Sequence, residues 1–202
     1  MAVFNFSKKE INVKIVYYGP ALCGKTTNLQ FLHQRLKPEQ RGKMISLATE
    51  EDRTLFFDFL PIELESVRGF KTRFHLYTVP GHVFYAATRR AVLTGVDGVV
   101  FVADSQAEKL EENVLSLTDL EENLRYYGKK LESMPLVMQY NQRDLANIVS
   151  PEMISQKINH FSAPYFESVA TEGKGVFETL TMTCRMVLKA IEDGARRGAQ
   201  DG

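Results

Sequence analysis

Excess charge of either sign is missing from this chain: Lys plus Arg and Asp plus Glu stand at 25 each in 202 residues. Without surplus positive charge there is no bulk electrostatic footprint for nucleic acid, and no nucleic-acid partner is expected. Long apolar runs are missing too. The longest reach strand length, far short of the roughly 20 residues that cross a bilayer, so no membrane insertion is expected. The opening MAVFNFSKKE brings charges before any apolar stretch, which argues against a secretory signal. Residue 2 is Ala, not the Gly of a myristoylation site, and the last residues form no prenylation box. Cysteine is scarce, with Cys23 in a Gly-rich loop and Cys184 in a late helical stretch. A disulfide is therefore not expected, and a reducing cytoplasm fits. Repeats and linkers are absent. With 44% hydrophobic residues the chain can bury one core. We expect a single domain over 1–193 and a polar, Gly-rich, disordered tail over 194–202.

Strand-like apolar runs alternate with helical periods. Strands are expected at 11–18, within 54–64, and at 71–78, 97–104, 135–141 and 165–169. Helices are expected at 25–36, 83–94, 108–128, 151–159 and 174–193. This alternation predicts a three-layer α/β fold, with a mostly parallel central sheet and helices on both faces. Ser150-Pro151-Glu152 reads as a helix opening, with Ser as cap and Pro in the first turn.

Residues Gly19-Pro20-Ala21-Leu22-Cys23-Gly24-Lys25-Thr26 match G-x-x-x-x-G-K-[ST], the phosphate-binding P-loop. Glycines let such a loop wrap tightly and turn backbone N–H groups onto phosphate oxygens. Lys25 is placed to reach the β and γ phosphates, and the Thr26 hydroxyl to take one position around Mg²⁺. Thr27 extends the binding segment into the helix. An apolar strand before the loop and a helix after it aim a helix N-terminus at an anion.

Asn141-Gln142-Arg143-Asp144 follows the strand expected to end near residue 141 and resembles the N-K-x-D element of Ras-like GTPases. A carboxylate there accepts from both guanine N1–H and the exocyclic amine. Adenine presents an acceptor at the first position and has no such amine, so Asp144 selects guanine. An ordinary Asn/Asp turn is the alternative. Thr78-Val79-Pro80-Gly81 resembles D-x-x-G, in which the Gly81 N–H contacts the γ phosphate. Ser168-Val169-Ala170-Thr171 resembles the S-A-K loop that supports guanine O6.

The order and flanks of these elements resemble the bacterial MglA (mutual gliding) group of small Ras-like GTPases. KIVYYGP, TTNLQ, RTLFFDFLP, GFKTRFHLYTVPG, GVDGVVFVADS and VATEGKGVFETL carry the likeness, over most of residues 11–182. Thr78, where most GTPases have Asp, is a habit of that group. The resemblance implies a Ras-like G domain that hydrolyses GTP to GDP and phosphate with Mg²⁺, slowly without an activating partner. It implies a cytoplasmic switch of cell polarity and surface motility, monomeric when alone and recruited to a cell pole in the GTP state. Polarity and motility effectors would bind that state, and a homodimeric roadblock-fold protein of MglB type would accelerate hydrolysis.

The likeness also assigns roles. Arg53 becomes an arginine finger supplied by the chain itself, although position alone suits a surface Arg paired with Glu50 or Glu51. Thr54, with Thr49 in reserve, becomes the second hydroxyl on the metal. His82 stands where the group carries the Gln that orients water. It can catalyse, catalyse only when a partner places it, or leave a slow enzyme. The alternative function follows from His82 and Thr78: a GTP-bound docking scaffold with little hydrolysis. Gln142 replaces a Lys that lies over the base. Residues 55–61, LFFDFLP, read either as a strand buried on both faces or as a switch segment showing an apolar face to partners, completed by Phe84 and Tyr85.

Overall fold

A computed structural model describes residues 3–5, 7–47, 57–67, 69–81 and 85–198. The strands are β1 (Val3–Asn5), β2 (Glu10–Tyr18), β3 (Ile45–Leu47), β4 (Phe57–Val67), β5 (Phe70–Thr78), β6 (Gly98–Asp104), β7 (Leu136–Asn141) and β8 (Tyr165–Glu167). The helices are α1 (Lys25–Arg35), α2 (Ala86–Leu93), α3 (Leu110–Tyr126), α4 (Pro151–Ile158) and α5 (Val176–Gly198). All strands join one sheet in the order β3-β4-β5-β2-β6-β7-β8, with β1 added to the start of β2. Strands β5, β2, β6, β7 and β8 run parallel, while β3–β4, β4–β5 and β1–β2 are antiparallel. This is the expected α/β architecture, a mostly parallel sheet with helices on both faces.

Side-chain alternation along the strands sorts the core into two layers. Val13, Ile15 and Tyr17 of β2, with Val100 and Val102 of β6, pack under α1 and α5 against Leu29, Leu32, Val176, Leu180 and Cys184. Val16 and Tyr18, with Val99, Phe101 and Ala103, face Val92, Leu117, Leu120, Leu124, Ile154 and Ile158 of α2, α3 and α4. Every residue of β6 and β7 is buried, as expected for parallel strands covered on both faces.

The helix opening at Ser150 forms: Ser150 Oγ accepts from Met153 N at 3.2 Å, with Pro151 in the first turn. Three features depart from the pattern reading. Strands β1 and β3, three residues each, lie outside the expected strands. Helix α5 continues to Gly198, so 194–198 is helical where a disordered tail was expected. Leu188 and Ile191 still pack on the core beyond Val187, and that apolar stripe outweighs the cost of about 1 kcal/mol for Gly194 inside a helix. Strand β4 is not buried on both faces. Leu60 and Ile62 are fully buried, whereas Phe57 and Phe59 are half-buried on the opposite side, ringed by Tyr77 and His75 at 4.9–5.8 Å.

A polar anchor fastens α2, the helix that follows the loop after β5. Arg89, 6% exposed, donates to both carboxylate oxygens of Asp119 on α3 at 2.7 and 3.2 Å. Tyr18 OH and Asn123 Nδ2 also donate to Asp119. Asp119→Ala removes the carboxylate from a buried guanidinium. Because Asp119 is 31% exposed, we expect a cost near the low end for broken buried pairs, about 3 kcal/mol in urea denaturation. Adding Arg89→Met to that variant should recover most of it.

Candidate functional site

Strand β2 lies between β5 and β6, the point in a parallel sheet where neighbouring connections diverge and a crevice opens at the carboxyl ends. Residues 19–26 leave β2 there, 79–81 leave β5, 141–144 begin at the end of β7, and 168–171 follow β8. All four sequence-predicted elements therefore share one edge of the sheet.

The P-loop is shaped by close backbone approach. Gly24 has φ +99°, and a Cβ there would lie 2.2 Å from Asn141 Nδ2, so only glycine lets the loop turn against the end of β7. The loop then enters α1, which has no side-chain cap and no acidic residue in its first turn. Its N-terminal N–H groups and the positive end of its dipole face the loop. Lys25 is 7% exposed, and its Nζ donates to Gly19 O at 3.0 Å and Pro20 O at 2.5 Å. Pro20 and Cys23 are buried, Ala21 and Thr27 half-buried, and Leu22 exposed with φ +61°. Burial pushes the Cys23 thiol up against the opposing pull of Lys25, so Cys23 is a packing group and not a nucleophile. Gly81 meets the same loop from the β5 side: a Cβ on it would fall 2.4 Å from the Ala21 backbone.

Asn141, 2% exposed, joins three loops. Its Nδ2 donates to Cys23 O at 2.8 Å, and its Oδ1 accepts from Ser168 Oγ at 2.9 Å and Ala170 N at 3.0 Å. Gln142, at φ +63°, donates from Nε2 to Leu22 O at 3.1 Å. Arg143 turns away from the crevice, donating to Glu167 Oε2 at 2.8 Å and Val149 O at 2.6 Å. These bonds brace the loop against Glu167 of β8. Asp144 and Thr171 are exposed, while Val169 and Ala170 are buried beneath them. Below the loops, Asn28 of α1 and Gln139 of β7 exchange two amide hydrogen bonds at 2.8 and 3.0 Å, and Gln139 also donates to Thr179 of α5.

The pattern reading missed Asp58. This residue is fully buried on the core side of β4. Its Oδ2 accepts from Thr26 Oγ1 at 2.6 Å and Thr78 Oγ1 at 2.8 Å, and its Oδ1 from Ser46 Oγ at 2.5 Å. Its own N–H donates to Thr78 Oγ1 at 2.9 Å. The available signal was a single acid inside the aromatic run LFFDFLP, a carboxylate that must find donors if its strand is buried. Among the described residues, no group of three or more His, Cys, Asp or Glu is placed to hold a metal. The crevice instead offers the Thr26 hydroxyl, with the buried Asp58 carboxylate behind it. That set fits Mg²⁺, which takes one or two protein oxygens and shares the rest with phosphate and water. Arg53, Thr54, Thr49, His82 and Phe84 lie outside the described residues.

Asn141→Ala should leave Cys23 O and Ala170 N without their side-chain partner. We expect a loss of about 2 kcal/mol in stability and faster amide hydrogen exchange at Ala170 than at Met138 in the middle of β7.

No protein-family model matches the chain. A curated relative does. Mutual gliding-motility protein MglA of Myxococcus xanthus (strain DK1622) is 56% identical over 194 residues, which cover 96% of this chain and all of the relative. Identity of that extent, over nearly the whole chain, makes it a member of the MglA group of small Ras-like GTPases.

Proposed function

We propose that the chain is a guanine-nucleotide switch that binds GTP with Mg²⁺, hydrolyses it to GDP and phosphate, and serves surface motility and cell polarity. One observation carries the reading: the Asn141 side chain bonds the P-loop at Cys23 and the 168–171 loop at Ala170. The phosphate-binding and base-binding elements are thereby held at one spacing. The name of the Myxococcus relative, a gliding-motility protein, supports the cellular role.

In this reading the first turn of α1 and Lys25 receive the phosphates, and Gly81 follows the γ phosphate from the β5 side. Thr26 and a hydroxyl from Thr54, with Thr49 as the other choice, hold the metal. Bound Mg²⁺ offsets charge on the β and γ oxygens. Asp144 accepts from guanine, over a floor formed by Val169, Ala170 and Thr171. Arg53 supplies positive charge to the transferring phosphoryl group, and His82 orients water. The regulated surface is the groove of about 490 Å³ lined by Phe57 and Tyr77 on one side and Ala87, Ala91 and Val92 of α2 on the other. A homodimeric roadblock-fold activator and polarity or motility effectors are the partners we assign, with the chain monomeric alone. Among the described residues no helix is long and apolar enough to cross a membrane. The location we assign is the cytoplasm, with recruitment to a pole by partners in the GTP state.

The test is GTP turnover with Mg²⁺, alone and with a roadblock-fold partner from the same source. Partner-stimulated hydrolysis supports the switch, whereas tight GTP binding with flat turnover in both conditions supports a GTP-bound docking scaffold. Arg53→Ala should lower stimulated turnover by about 10³-fold or more with GTP affinity nearly unchanged. Asp144→Ala should cost about 100-fold in preference for GTP over ATP, measured by competition, since two charge-assisted hydrogen bonds are lost.

A further inference from the structure

We propose that Asp58 is the carboxylate of the divalent-metal site, delivered from β4 because β5 ends in Thr78 and offers none. The inference rests on the nucleotide-binding reading above, and it concerns which residue positions the metal.

Four observations support it. The first is place. Asp58 is bonded to Thr26, the P-loop hydroxyl next to Lys25, and to Thr78, three residues before Gly81. A carboxylate from β4 thus occupies the junction where the P-loop and the end of β5 meet.

The second is proton direction. Thr26 Oγ1 donates its hydrogen to Asp58 Oδ2 at 2.6 Å. A hydroxyl whose hydrogen is committed to a carboxylate turns its lone pairs elsewhere, which is what a hard cation requires of a hydroxyl ligand.

The third is charge. Asp58 is fully buried, and among the described residues it receives hydroxyl and no ion-paired cation. A buried carboxylate served by neutral donors alone is costly unless positive charge comes to it. A carboxylate has about four acceptor directions. Three hydroxyls fill three of them, so one remains for a water on the metal.

The fourth is support. Ser46 is the cross-strand partner of Asp58 on β3. Thr78 both accepts from Asp58 N at 2.9 Å and donates to Asp58 Oδ2 at 2.8 Å. Both neighbouring strands thus fix the carboxylate in place. The threonine that removes a carboxylate from β5 is the group that orients the one from β4. Asp58 is accordingly a positioning residue, acting on the metal through Thr26 and through metal-bound water.

The experiment follows mant-GDP release against free Mg²⁺, from EDTA upward, with Mn²⁺ binding read independently by electron paramagnetic resonance. In the native chain Mg²⁺ should slow release. Asp58→Asn keeps the side-chain shape and removes the charge. It should raise the Mg²⁺ and Mn²⁺ midpoints about 10–100-fold, the usual cost of losing a carboxylate behind a metal ligand, and leave GDP affinity in EDTA unchanged. Adding Thr78→Asp to that variant returns a carboxylate to the junction from β5 and should restore the midpoints. Unaltered midpoints in Asp58→Asn overturn the inference while leaving nucleotide binding intact. Equal loss of GDP affinity in EDTA, with no restoration by Thr78→Asp, overturns it in favour of a purely structural carboxylate. A native chain that binds no mant-GDP with or without Mg²⁺ overturns the nucleotide reading itself, and the inference with it.

Discussion

Hydrogen bonds at one buried amide, Asn141, hold the candidate site together. The P-loop, the end of β7 and the 168–171 loop come from distant parts of the chain. An amide suits the junction because it donates and accepts at once. Its nitrogen takes the carbonyl of Cys23, and its oxygen takes the Ser168 hydroxyl and the Ala170 N–H. Gly24 is part of the same constraint, since any side chain there would strike that amide. Loops tied in this way are pre-organised, so binding a ligand across them need not pay to order them.

The second organising group is of another kind. Asp58 is a charge placed on the core side of a strand whose other inward residues, Leu60 and Ile62, are fully buried. It is tolerable because Ser46, Thr26 and Thr78 converge on it from β3, α1 and β5. Such convergence brings tight coupling: a shift of β4 along its neighbours would break these bonds together with the aromatic contacts of Phe57 and Phe59 to Tyr77. The strand that carries the carboxylate also carries the aromatic face lining the groove beside α2. The P-loop junction and the groove beside α2 therefore share one element, which suits the switch proposed above.

Much of the fold was legible in the residue pattern. The alternation of apolar runs and helical periods located β2, β5, β6, β7 and all five described helices within a few residues, because each buries a continuous face large enough to leave a period. The three-residue strands β1 and β3 were not marked by any run, although β8, equally short, was. The extension of α5 to Gly198 was hidden by a glycine-rich composition that said nothing of Leu188 and Ile191 packing just upstream. Within the site, Gly19 to Thr26 and Asn141 to Asp144 could be read as loops at strand ends because contiguous residues with special backbone needs mark them. The role of Arg143 could not, since its partners Glu167 and Val149 are set by how β8 lies beside β7.

Local pattern was enough for the fold class and for placing the loops 19–26, 79–81, 141–144 and 168–171 at the ends of their strands, because each depends on spacing along a few consecutive residues. It was not enough for Asp58. Read in order, Asp58 is one acid among phenylalanines, and Thr78 is a motif position without its usual charge. Pairing β4 antiparallel to β5 sets Phe59 opposite Tyr77, which brings residue 58 beside residue 78 and both beside Thr26. Whether a carboxylate reaches that junction depends on strand register, and register is settled by long-range hydrogen bonding and by which faces are buried.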